Sequence, residues 1–117
     1  MSFLVCARCG KRLTTPINLA APSADRDTPG QPFMARGAYA VSWNKGFILH
    51  PDDVTGAARD PDPNRWVGCC GPDGTHGPNL VCSGCQTEIA TRESDCWKPH
   101  FVATIPDETT LITSDSH

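Results

Sequence analysis

Phe3-Leu4-Val5-Cys6-Ala7-Arg8-Cys9-Gly10 and Asn79-Leu80-Val81-Cys82-Ser83-Gly84-Cys85-Gln86 are two copies of one local pattern, an apolar stretch running into C-x-x-C, with positions 10 to 81, 72 residues, between the pairs. Two residues between cysteines let a tight turn aim both sulfurs at one ion about 2.3 Å away, and two such turns complete a tetrahedron. One C-x-x-C arises readily by chance; two, each led by a strand, seldom do. The spacing therefore predicts a closed site made by Cys6, Cys9, Cys82 and Cys85, with Zn2+ as the expected ion and rubredoxin-like iron as its nearest competitor. A thioredoxin-type redox pair does not fit, because neither turn opens a helix within a βαβ pattern. Gly10 follows the first pair where a left-handed residue closes such a turn, and Gln86 stands there after the second.

Working outward, 117 residues suffice for one domain, expected over residues 1–106, with a loose polar tail over 107–117. Hydrophobic residues make up 38% of the chain, and ten Gly and eleven Pro leave much of the backbone for turns, so a modest core needs a staple. Seven cysteines could supply it as disulfides or as metal ligands. The N-terminal apolar run is four residues long, without a basic stretch or a small-residue cleavage site, which points to a reducing cytoplasm and to ligation. No stretch approaches the roughly 20 apolar residues of a membrane span.

The net charge of −3 gives no general attraction to nucleic acid or to anionic membrane. Its distribution is uneven. Residues 1–50 carry six Lys or Arg against two Asp (+4), and residues 51–117 carry four against eleven Asp or Glu (−7). Arg8, Lys11 and Arg12 crowd the first cysteine pair, where they are expected to lower repulsion among thiolates; a nucleic-acid patch would need interleaved aromatics.

The chain reads as mainly β, with small antiparallel sheets, long loops and little helix. Phe3-Leu4-Val5 enters the first turn and Lys11–Thr14 returns from it as a hairpin strand. Phe33 to Trp43 places Phe33, Ala35, Gly37, Tyr39, Val41 and Trp43 on one parity, predicting a strand with an aromatic inner face and a bulge at Gly37. Phe47–His50 pairs back on it, and Pro51–Arg59 begins as a short helix would, weakened by Gly56. Strands are also expected before Cys82, over 87–91 and over 101–105, with exposed loops at 22–32 and 60–78.

Cys69, Cys70, His76, Cys96 and His100 form a second constellation with three readings. The thiols could be packed core residues beside Trp66 and Trp97. A subset such as Cys70, His76, Cys96 and His100 could hold a second zinc. Alternatively, Cys96 or Cys70 could be a nucleophile with His100 or His76 as base.

The order and separation of the two cysteine turns, with Ile89 shortly after the second, resemble the β-tent zinc domains of methionine-R-sulfoxide reductases, Yippee proteins and the thalidomide-binding domain of cereblon. The resemblance implies two antiparallel sheets meeting at an angle, pinned by zinc on Cys6, Cys9, Cys82 and Cys85. It does not extend to the reductase centre, because Cys96 lies in Ser94-Asp95-Cys96-Trp97 and lacks the Arg-x-Cys-x-Asn surrounding. Trp43, Trp66 and Trp97 match in number, not in spacing, the three tryptophans of the cereblon pocket. The resulting expectation is a non-catalytic binding module for a small molecule or peptide, with a possible pocket at Trp43, Trp66 and Trp97. The alternative class is a thiol-dependent, redox-type enzyme.

Overall fold

Alternation builds the first strand. In β1 (Ser2–Cys6) the side chains of Ser2, Leu4 and Cys6 are buried while Phe3 and Val5 are half-buried, the period-two pattern of a strand with one face on a core. The computed structural model describes residues 2–21, 32–41, 46–66, 72, 74, 77–94 and 100–113. The other strands are β2 (Asn18–Leu19), β3 (Ala38–Val41), β4 (Phe47–Leu49), β5 (Ala57–Arg59), β6 (Leu80–Cys82), β7 (Glu88–Glu93), β8 (Phe101–Thr104) and β9 (Thr109–Thr113). Among the described residues the only helical elements are 3-10 turns of three residues. The chain is mainly β, as its sequence predicts.

Two sheets form. One is the antiparallel pair β1–β9; the other has seven strands in the order β2-β3-β4-β8-β7-β6-β5, antiparallel except for the parallel β2–β3 pair. The core between them includes Leu4, Leu13, Ile17, Tyr39, Leu49, Ile89 and Val102, and Cys6 and Cys82 belong to the same buried cluster. β6 is buried at all three positions. A bulge between Leu80 and Val81 marks its pairing with β7. Just before it, the fully buried Asn79 takes the place of a paired strand residue, its Oδ1 accepting from Arg92 N–H at 2.7 Å and its Nδ2 donating to Arg92 O at 2.9 Å.

Several expectations need correction. The tail is not loose over 107–113. Thr109, Thr110, Ile112 and Thr113 are β-branched and favour extended backbone, and β9 pairs with β1 from Ser2↔Thr113 to Cys6↔Thr109. Thr109 is buried and Leu111 half-buried, while Thr110, Ile112 and Thr113 are exposed. The strand expected over 33–43 is confined among the described residues to 38–41, where Ala38 and Tyr39 are both buried and Val41 is exposed. Gly37 is a left-handed turn residue (φ 78°) whose N–H donates to a side chain of Asp53, so alternation does not run through it. β4 does pair back on β3, as Tyr39↔Leu49 and Val41↔Phe47.

The segment read as a weak helix over 51–59 is a 3-10 turn (Pro51–Asp53) followed by β5. Gly56 serves a close approach there. Its N–H donates to Leu13 O at 3.0 Å, and a Cβ at this position would overlap the Arg12 carbonyl oxygen and lie 2.8 Å from Leu13 Cα, both of them backbone. Backbone cannot swing aside as a side chain can, so Gly56→Ala is expected to cost at least about 2 kcal/mol, measured as a lowered urea midpoint at unchanged slope. An unchanged midpoint would show that the segment carrying Leu13 can shift freely.

Candidate metal centre

The two cysteine turns are built alike down to their hydrogen bonds. In the first, Cys6 N–H donates to Lys11 O at 2.8 Å and Gly10 N–H to Cys6 O at 2.9 Å; in the second, Cys82 N–H donates to Thr87 O and Gln86 N–H to Cys82 O, both at 2.8 Å. Each turn closes on a left-handed residue, Gly10 at φ 77° and Gln86 at φ 62°. No Cβ contact would arise at Gly10, so its advantage there is conformational; Gln86 holds the same backbone with a side chain.

Each turn is also held from outside at its second residue. Ala7 N–H donates to Glu108 O at 3.0 Å, and Ser83 N–H donates to Gly56 O at 3.0 Å, with Ser83 Oγ on the same carbonyl at 2.8 Å. The approach to β9 thus braces the first turn and the approach to β5 braces the second. Because β1 and β6 belong to different sheets, the convergence of their turns ties the two sheets together.

The four sulfurs lie within 4.8 Å of one another. Cys6 and Cys82 are buried; Cys9 and Cys85 are exposed. Two sulfur contacts cross between the turns, Cys6–Cys85 at 3.6 Å and Cys9–Cys82 at 3.5 Å. An M–S distance of about 2.3 Å in a tetrahedron implies sulfur–sulfur edges of about 3.8 Å, whereas a disulfide needs about 2.05 Å. Four free thiols at this spacing fit a single metal ion, and the expected set Cys6, Cys9, Cys82 and Cys85 is the set brought together. Neither a family model, nor a curated protein, nor a solved structure matches this chain.

Electrostatics within the cluster separates its two exposed thiols. The Thr87 hydroxyl, 3.2 Å from Cys85 Sγ, and then the Thr87 backbone amide lower Cys85 to about 6. The Lys11 amide pulls Cys9 down in the same way, but the Cys82 thiol, desolvation and the thiols of Cys85 and Cys6 outweigh it and push Cys9 up to about 11. Neighbouring sulfurs cannot all ionise without a cation among them, and a bound dication would ionise all four. Gly84 N–H adds a 3.4 Å contact to Cys82 Sγ.

The basic cluster acts in part as expected. Arg8 pairs with Glu108 at 2.9 Å, which raises its pKa, and Cys85 and Cys6 act weakly in the same sense. A Cβ on Gly84 would meet Lys11 Cδ at 3.0 Å and the Cys9 and Cys82 sulfurs at 3.5 and 3.6 Å, so the Lys11 stem borders the site. Arg12 turns away, its Nε donating to Thr14 O at 2.9 Å and its guanidinium lying 4.4 Å from the centre of the Phe3 ring. Thr87 and Glu108 are missing from the expected site. For Thr87 the signal was available, as a hydroxyl two residues past the last cysteine; Glu108 reaches the first turn only because β9 pairs with β1.

Cys69, Cys70, His76, Cys96, Trp43 and Trp97 lie outside the described residues. His100 is half-buried and forms a bridge with Pro32. Trp66 packs against the core, with the Arg59 guanidinium 4.9 Å from its ring centre. No helix among the described residues is long and apolar enough to cross a membrane.

Proposed function

We propose that this chain is a non-catalytic binding module whose fold depends on one Zn2+ held by Cys6, Cys9, Cys82 and Cys85. The observation that carries this reading is the convergence of four free sulfurs from two turns with the same hydrogen-bond pattern. Four thiolates suit a borderline-soft dication and close its coordination shell, leaving no position for an activated water. The ion's place is structural, because two of its ligands belong to the hydrophobic core and the ion joins strands of different sheets. The resemblance to β-tent domains points the same way, since there too a C-x-x-C from each end of the chain pins two sheets. On this reading Trp66, packed against the core with the Arg59 guanidinium over its ring, borders the site for a small molecule or peptide.

Metal analysis of protein purified without added metal tests the proposal. One zinc per chain is the expected result. Iron would replace zinc with a rubredoxin-like ion, and a count of two would place a second ion among Cys69, Cys70, His76, Cys96 and His100. A folded, metal-free protein would sink it.

A further inference from the structure

Each exposed sulfur faces a buried sulfur of the other turn: Cys9 faces Cys82 at 3.5 Å, and Cys85 faces Cys6 at 3.6 Å. We infer that the cluster is an oxidation site for hydroperoxides at which Cys9 and Cys85 are the attacking thiols, Cys82 and Cys6 are their resolving thiols, and the product is a disulfide between the turns. This rests on the metal-holding reading of the four thiols.

The chemistry closes on named groups. The exposed thiolate attacks the hydroperoxide; the O–O bond breaks, an S–O bond forms, and hydroxide or alkoxide leaves. The facing thiolate then attacks the sulfenic sulfur; an S–S bond forms and hydroxide leaves. Two thiolates have lost two electrons to the hydroperoxide, and the ion, left with two of its four ligands, is released. Among the four clustered thiols, approach from solvent is open only to Cys9 and Cys85, and the facing sulfur already stands near reacting distance.

Connectivity decides whether the fold survives. A bond within one C-x-x-C closes a ring over two intervening residues and ties nothing together. A bond across the turns joins positions 79 or 73 residues apart, and the longer loop constrains the unfolded chain more. It also links β1 to β6, the two strands the ion joined. Oxidation therefore exchanges a metal staple for a covalent one, and the ion leaves a domain that stays folded. A chelator, by contrast, removes the ion and leaves nothing in its place.

The test treats the purified, metal-analysed full chain with hydrogen peroxide beside a chelating dye, follows far-UV circular dichroism, and maps disulfides by mass spectrometry. Tryptic cleavage after Arg8 parts Cys6 from Cys9, so the two connectivities give different peptides. Expected are metal release, a Cys6–Cys85 or Cys9–Cys82 bond, and a retained β spectrum. The same chain oxidised in guanidinium should give mainly the short rings Cys6–Cys9 and Cys82–Cys85. Short rings in the folded sample, sulfinic acid without a disulfide, or retention of the ion would each overturn the inference. Metal-free purified protein would instead count against the proposed function, while the disulfide map would still report on the facing pairs.

Discussion

Cys82→Ser is expected to purify without bound metal and to show no cooperative thermal transition at any temperature. The sulfur of Cys82 is fully buried, sits in the core cluster, and contacts both Cys9 Sγ and the Gly84 amide. On the proposed reading serine removes a ligand, and it also places a hydroxyl in an apolar site, so the change acts on the ion and on the core together. Structural zinc contributes roughly 10–16 kcal/mol of apparent binding energy in small peptides, against a net domain stability of about 5–15 kcal/mol. On the proposed reading, loss of the ion alone would account for loss of the fold. Cys85→Ser is the instructive contrast: Cys85 is exposed, so serine there adds no buried hydroxyl and leaves three thiolates. It should keep a weakened affinity and a lowered but cooperative transition. Circular dichroism melts with metal analysis check both, and a Cys82→Ser protein that melts like the parent would exclude Cys82 as a ligand.

Asp53→Ala should lower stability by roughly 3 kcal/mol while leaving one metal ion per chain at room temperature. The carboxylate is almost wholly buried, at 2% side-chain exposure, and collects three donors: Thr15 Oγ1 at 3.1 Å and Arg36 Nε at 2.6 Å on Oδ1, and Gly37 N–H at 2.7 Å on Oδ2. It joins the 3-10 turn to the segment after the first hairpin and to the start of β3. Alanine leaves the Gly37 amide without its acceptor, and a buried unpaired donor costs more than the hydrogen bond was worth. Arg36 is 58% exposed and can turn to water, which keeps the loss below that of a fully buried pair. At about 4 °C or more per kcal/mol for a domain near this size, the melting temperature should fall by roughly 12 °C or more. Asp53→Asn keeps the shape but turns one acceptor into a donor among donors, and should fall between parent and alanine. A shift of under about 3 °C in Asp53→Ala would show that water or a neighbouring group satisfies Gly37.

The cysteine spacing predicted which four thiols meet, short apolar runs beside turns predicted β1, β4, β6 and β7, and alternation predicted β8, because all three signals are local. A C-x-x-C turn carries its own geometry in six consecutive residues, and a half-buried strand writes its burial every second position. Arg8 and Lys11 were legible as charges near thiolates for the same reason.

What escaped the sequence was the consequence of distant pairing. Gly56 reads as a helix breaker until the backbone of Arg12 and Leu13 is seen against it, and Asp53 reads as an acidic residue near a helix start until Thr15, Arg36 and Gly37 surround its carboxylate. The stretch from Thr109 to Thr113 reads as polar tail until β1 supplies its partner. The four cysteines that meet and the strands that lead into them were written in the chain; which strands became neighbours, and so which backbone closes on each cysteine turn, was decided by tertiary structure. A ladder hydrogen bond or a close backbone approach depends on residues dozens of positions away, and no local pattern encodes them.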